Sequence, residues 1–192
     1  MKLKEIAKIQ SGYISRGKIE PHEGGSHLLI QARDVYADSL SYRTDKIVSF
    51  SPVLSRKDWV LRRDDLLFMA RGTRNYSVIL KEIPDQLLAA ACFFIIRISS
   101  KEVLPDYLFW YLNQVPVDRY VKRLSGRGVH MPVVRRSVLE SIDIPIPTVE
   151  VQNKISKLDV LFRNEMALLE KLAEKRKKLI TAACLYAAQN RA

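Results

Sequence analysis

The chain has 192 residues, 47% of them hydrophobic and 28% charged, with 32 lysines and arginines against 21 acids for a net charge of +11. That is a folding composition with room for one ordinary domain and a long accessory element, which excludes a disordered tail and a disulfide-stapled mini-domain. Its excess of positive charge points to a polyanionic partner, nucleic acid before an acidic membrane face, and no apolar run approaches the ~18 residues of a membrane span.

In chain order the pattern is mixed. Residues 2–10 place Leu3, Ile6 and Ala7 at helical spacing, predicting a short helix or a helix-to-strand entry. No signal-peptide core follows Met1, so a cytoplasmic location is expected. Residues 11–26 read as a loop with Gly12, Gly17, Gly24, Gly25 and Pro21, and with Arg16 and Lys18 as its cations. Strands are predicted at 27–35, 45–50, 66–70 and 76–80, the last two joined through the turn Arg71-Gly72-Thr73-Arg74-Asn75. Residues 87–98, rich in Phe and Ile, predict one buried strand region. Residues 105–124 carry apolar and aromatic side chains at helical spacing, with Pro116 breaking or kinking the helix. A short turn at 137–141 and a strand at 142–146 follow.

The last quarter is the most informative stretch. From Val151 the heptad positions are Val151, Leu158, Glu165, Leu172, Leu179 and Tyr186, and, offset by four, Ile155, Phe162, Leu169, Arg176 and Ala183. All but Glu165 and Arg176 are apolar, which is the pattern of a coiled-coil seam. Some forty residues of helix make a rod of roughly 60 Å. A rod that long cannot bury its own stripe, so the sequence predicts a partner helix. Val151, Ile155, Leu158, Phe162, Leu169, Leu172 and Leu179 are the expected dimerisation residues. In an antiparallel pair with its dyad near Glu170 and Lys171, Glu165 would face Arg176 and fix the register. The expected fold class is α+β, with a globular domain over 1–147 and the long helix over 148–192.

Residues 119–136 contain Arg119, Lys122, Arg123, Arg127, Arg135 and Arg136 and no acid. Gly126, Gly128 and Pro132 lie inside that basic run, where glycine lets a backbone approach a phosphate closely. Lys175-Arg176-Lys177-Lys178 on the rod reads more simply as a solvated helix face.

These segments together resemble the specificity subunits of type I restriction-modification systems. The run Asp64-Asp65-Leu66-Leu67-Phe68-Met69-Ala70-Arg71-Gly72-Thr73 resembles the strand-turn motif of their target-recognition domain, with Asp64-Asp65 in place of the commoner Gly-Asp. Gly126-Arg127-Gly128-Val129-His130-Met131-Pro132 is similar to that domain's glycine-bearing loop. Leu139 through Pro147, containing Ile144-Pro145-Ile146-Pro147, followed by Val151-Gln152-Asn153-Lys154-Ile155, is similar to the family's entry into its spacer helix. Leu28-Leu29 stands where the family often has an aromatic or Pro-Trp pair. The resemblance implies one target-recognition domain and one spacer helix, a half-length counterpart of subunits that carry two of each. It further implies binding of double-stranded DNA, pairing of two copies to read a split inverted repeat, and assembly with methyltransferase and restriction subunits. S-adenosylmethionine is then expected in the methyltransferase subunit, and no cofactor in this chain.

Arginine pairs bidentately with guanine and asparagine with adenine. Arg71, Arg74, Asn75 and Tyr76 at the expected hairpin tip, with Arg127 and His130 on the glycine loop, are therefore the base-reading candidates. Arg74 and Asn75 also suit an ordinary turn. Arg16, Lys18, Arg123, Arg135 and Arg136 are the phosphate candidates. His22, His27 and His130 show no metal-ligand spacing, and Tyr107, Phe109, Trp110 and Tyr111 read as helix core. No phosphate loop, S-adenosylmethionine-binding glycine loop, Asn-Pro-Pro-Tyr-like loop, or acid-X-Lys nuclease motif is present, so no catalysis is expected. The rival readings are a dimeric coiled-coil DNA-binding regulator without modification partners, and a basic scaffold. An inhibitor mimicking DNA is excluded because mimics are acidic.

Overall fold

The computed structural model describes residues 1–15, 17, 19–45, 47–53, 56–72, 74–125 and 133–189. The chain divides into two compact units, Met1–Asn153 and Lys154–Ala192. The first is an α+β unit whose elements begin with a one-turn helix α1 (Leu3–Ile6) running into strand β1 (Ala7–Ser11). The backbone N–H of Lys2 donates to Glu5 Oε2 at 2.7 Å and caps the turn.

Three small sheets follow from the apolar runs. β1, β9 (Phe93–Ile98), β6 (Leu66–Met69) and β7 (Ser77–Ile79) form an antiparallel sheet in that order. A second sheet has β2 (His27–Ile30) at its centre, antiparallel to β5 (Val48–Phe50) and parallel to β8 (Leu87–Ala89). β3 (Val35–Tyr36) and β4 (Ser41–Tyr42) form a separate hairpin after a 3-10 turn at Ala32–Asp34. The apolar run 87–98 is thus two strands in two sheets rather than one. It turns at Ala90, where the Phe93 N–H donates back to the Ala90 carbonyl at 3.0 Å. The corner is tight enough that a Cβ on Gly12 would collide with the Ala90 carbonyl oxygen.

One core cluster gathers Ile30, Leu67, Met69, Val78, Leu87, Phe93 and Ile95 from the strands. A satellite cluster of Tyr13, Leu29, Phe50 and Leu88 closes the second sheet, with Tyr13 edge-on to Trp59. Helix α2 (Pro105–Leu112) packs against β7, and α3 (Val115–Leu124) and α1 both pack on α4 (Arg136–Glu140). The sequence suggested helix over 105–124, broken or kinked at Pro116. Of the two the break is what forms: two helices, with Pro116 in the first turn of the second, where its missing N–H costs nothing. Residues 137–141 likewise lie within the short helix α4 and its cap rather than a plain turn.

The strand expected at 142–146 does not form. Pro145 and Pro147 lack N–H groups, so the segment cannot sustain a ladder. It keeps one antiparallel bridge, Lys2 with Asp143, and Met1 and Ile144 exchange backbone hydrogen bonds of 3.0 and 2.8 Å. The start of the long helix α5 (Val149–Gln189) is then fixed by Gln152, which is fully buried. Its amide accepts from the Leu104 N–H at 2.9 Å and donates to the Glu102 and Pro147 carbonyls at 2.8 Å each.

A buried ion pair holds the loop that leads into β6. Arg97 donates to both oxygens of Asp65 at 2.8 and 2.6 Å and also to the Val60 carbonyl, while Asp65 accepts from the Arg62 N–H. Asp65 is 2% exposed, so its charge has no recourse to water. Asp64 beside it has φ +67°, in the left-handed region where glycine carries no penalty. This accounts for glycine being commoner there in the similar motif. Asp65→Ala should therefore cost about 3 kcal/mol by stranding the Arg97 guanidinium, read as a lower urea midpoint. Asp64→Gly should stay within about 1 kcal/mol of the parent, since relief of strain offsets loss of an exposed pair with Lys81.

Candidate nucleic-acid interface

The β6–β7 hairpin carries the tip residues, and the polar groups within it are mostly consumed in shaping it. The Asn75 amide donates to the Met69 carbonyl at 2.8 Å, and the Met69 N–H donates to the Tyr76 carbonyl at 2.8 Å. Tyr76 is 8% exposed, and burial pushes its phenol above the ordinary tyrosine range, so it stays neutral. At the next position Ser77 is fully buried and meets Asn113 at the end of α2. The Asn113 side chain accepts from the Ser77 N–H at 2.8 Å and donates to the Ser77 carbonyl, the Ser77 Oγ and the Phe109 carbonyl. One amide thus extends β7 sideways as a strand would, and nothing in the sequence pattern singled it out.

The two outward cations at the tip differ. Arg74 Nη1 pairs with Asp38 at 2.6 Å, Asp38 standing on the turn of the β3–β4 hairpin. Arg71 is exposed and forms an antiparallel bridge with Val133, while the Val134 N–H donates to the Ala70 carbonyl at 2.8 Å. The segment that follows residues 126–132 therefore returns to the root of the hairpin tip. Helix α3, which ends at Leu124, carries Arg119, Lys122 and Arg123 on its exposed face. Topology brings together what the sequence kept some fifty residues apart.

Of the phosphate candidates, Arg123 lies over the Tyr120 ring at 5.5 Å, Arg135 precedes α4, and Arg136 pairs with Glu140 at 2.7 Å. Among the described residues Arg71, Arg119 and Arg135 have no ion-pair partner. Arg16, Lys18, Arg127 and His130 lie outside the described residues. Between the hairpin and α3 opens a cleft of about 430 Å³, lined by Leu40, Arg74, Asn75, Tyr76, Asn113, Val115, Asp118 and Lys122. Lys122 and Asp118 are one helical turn apart and form an ion pair of 2.8 Å. Among the described residues no cluster of His, Cys, Asp and Glu could hold a metal ion, and no helix is long and apolar enough to cross a membrane.

Among its described residues the second unit is helix alone. Along it Leu158, Phe162, Leu169, Leu172 and Leu179 are exposed, as is Val151 within the first unit, while Ile155 is intermediate. Leu161 and Leu168 are exposed too and add a third apolar row between 158 and 172. That width suits packing against more than a two-residue seam. Asp159 pairs with Arg163 and Glu174 with Lys178 at i,i+4 spacing along the same helix.

The Asn113 lock is open to a direct check. Asn113→Ala leaves the buried Ser77 N–H without a partner, and chemical denaturation should show a loss of about 2 kcal/mol.

With this geometry in view, the comparisons with known proteins agree. The model of the type I restriction modification DNA specificity domain matches residues 1–175. The MjaIX specificity subunit of Methanocaldococcus jannaschii is 26% identical over 181 residues, covering 90% of this chain and 41% of the relative. The MjaVIII specificity subunit of the same organism is 23% identical over 136 residues, covering 71% of this chain and 31% of its own length. The HsdS subunit from Thermoanaerobacter tengcongensis superposes with a TM-score of 0.66 at 16% identity, covering 90% of this chain and 39% of that one. A chain solved in work on complex assembly and conformational transition of the type I R-M system gives a TM-score of 0.70 at 19% identity, covering 94% and 42%. This chain thus spans about two fifths of the length of the first curated relative. With the family model matched over nearly all of the sequence, the chain belongs to the type I restriction modification DNA specificity domain family.

Proposed function

We propose that this chain is a non-catalytic DNA-recognition subunit of a type I restriction-modification system, and that it directs methyltransferase and restriction subunits to a split site. The observation that carries the reading is the convergence at one edge of the first unit. There the hairpin tip, the basic face of α3 and the returning segment at Val133 meet, in a chain of net charge +11. Arg71 and Arg74 keep outward donors and are the base readers, whereas Asn75 and Tyr76 serve mainly to hold the tip. Arg127 and His130 are further base readers, while Arg123, Arg135 and Arg136, with Arg16 and Lys18, bind phosphate. S-adenosylmethionine belongs, in this reading, to the methyltransferase subunit.

A second copy covers the exposed stripe of α5, the two helices running antiparallel. With the dyad near Glu170 and Lys171, Leu172 faces Leu169, Leu179 faces Phe162 and Ala183 faces Leu158, all apolar pairs. The same register sets Glu165 against Arg176. Two such domains related by a two-fold axis read an inverted repeat with a fixed gap.

Selection from random duplexes tests the reading, using the chain co-purified with its methyltransferase subunit and the chain alone. A split inverted repeat that sharpens with the methyltransferase is expected. An equally sharp site without it would favour the regulator, and no enrichment in either case a basic scaffold. Arg135→Ala should weaken binding to all sequences alike and lower the slope of log affinity against log salt by about 1. For the rod, Glu165→Arg or Arg176→Glu alone should weaken self-association by about 3 kcal/mol or more, and the double reversal should restore it. Sedimentation giving single and double variants the same affinity would remove the register.

A further inference from the structure

The cleft beside the hairpin tip holds charges of both signs, which separates it from the basic surfaces around it. Arg74 enters from the hairpin and Asp118 and Lys122 from α3, with Leu40, Val115 and Tyr76 as apolar walls. A phosphate favours cations only, and a carboxylate 2.8 Å from the Lys122 ammonium repels it. A base edge in the major groove is different, since it presents donors and acceptors side by side.

The cleft also contains two amides, the usual readers of adenine, and both are engaged within the protein. Asn113 makes four hydrogen bonds to Ser77 and Phe109, and the Asn75 amide nitrogen donates to Met69. The charged groups of the cleft are two cationic donors, Arg74 and Lys122, and one carboxylate acceptor, Asp118. The major-groove edge of a G·C pair carries the acceptors N7 and O6 on guanine and the N4 donor on cytosine, so its complement is two donors and one acceptor. Lys122 Nζ and Asp118 Oδ2 stand 2.8 Å apart. Guanine O6 and cytosine N4 are hydrogen-bonded to each other within the pair and so lie at a similar spacing. The partners these groups now hold are readily exchanged, because the Lys122 and Asp118 side chains are 60% and 35% exposed and Asp38 beside Arg74 is 96% exposed.

We infer that Asp118 and Lys122 are specificity-determining residues that, with Arg74, select a G·C base pair. Asp118 accepts from cytosine N4, and Lys122 and Arg74 donate to guanine. This assignment rests on the DNA-recognition reading above, and the test keeps the two apart. Random-duplex selection is run on the complex with the methyltransferase subunit, for the parent, Asp118→Asn, Lys122→Ala and Arg135→Ala. The parent half-site should contain a G·C pair at which Asp118→Asn and Lys122→Ala each lose roughly tenfold in preference, other positions being kept. Arg135→Ala should instead weaken every sequence equally. Asp118→Asn keeps the side chain's shape, and an unchanged melting temperature shows that the fold is intact. A parent half-site without any G·C pair, or selection unaltered in both variants, overturns the inference and leaves the recognition function standing. An even loss across all positions makes these residues mere affinity contacts and overturns it as well. A parent that enriches no sequence removes the DNA-recognition reading and this inference with it.

Discussion

The bridge between Arg71 and Val133 is the constraint on which the candidate interface depends. It joins the tip of a local hairpin to a segment that arrives from the far side of two helices. Such a closure costs loop entropy that grows only slowly with the intervening length. The Val134 N–H and Ala70 carbonyl find each other there, so neither buried group is left unpaired. The tie sets the chain at Val133 beside Arg71 at the hairpin tip.

Electrostatics then sorts the surface by kind. Exposed cations with no ion-pair partner among the described residues, such as Arg71, Arg119 and Arg135, give a field that grips any polyanion and weakens as salt screens it. Cations already paired with a carboxylate contribute little to that field. Arg74 with Asp38 and Lys122 with Asp118 are of this second kind, and both cations line one cleft. Neutral pairs of this sort bind only a partner that offers something in return for each charge, which is a demand for a matching pattern.

How much of this was legible in the sequence follows from the range of each interaction. The hairpin at 66–80 could be read directly, because two short apolar runs flank a turn and pair with each other. The α+β class and the long helix were equally plain, since both rest on local periodicity. The run 87–98 looked like one strand because composition does not register a corner between sheets. The segment 142–146 looked like a strand because its isoleucines alternate, while its prolines forbid the ladder. In the candidate site, Arg71 and Arg74 stood out as turn arginines. Asn113, Asp38 and Asp118 did not, because their significance lies in partners that only the folded chain supplies, as Ser77 does for Asn113 across 36 positions.

If the hairpin tip reads DNA as proposed, its internal wiring has a consequence for how such a protein changes its target over evolutionary time. Asn75, Tyr76 and Asn113 fix the shape of the tip through backbone partners and burial, and they do so without help from the outward side chains at 71, 74, 118 and 122. A platform whose form is independent of its display positions can be rewritten one codon at a time. In that reading new sequence preferences would arise by exchange of a few surface residues while the scaffold keeps its internal bonds.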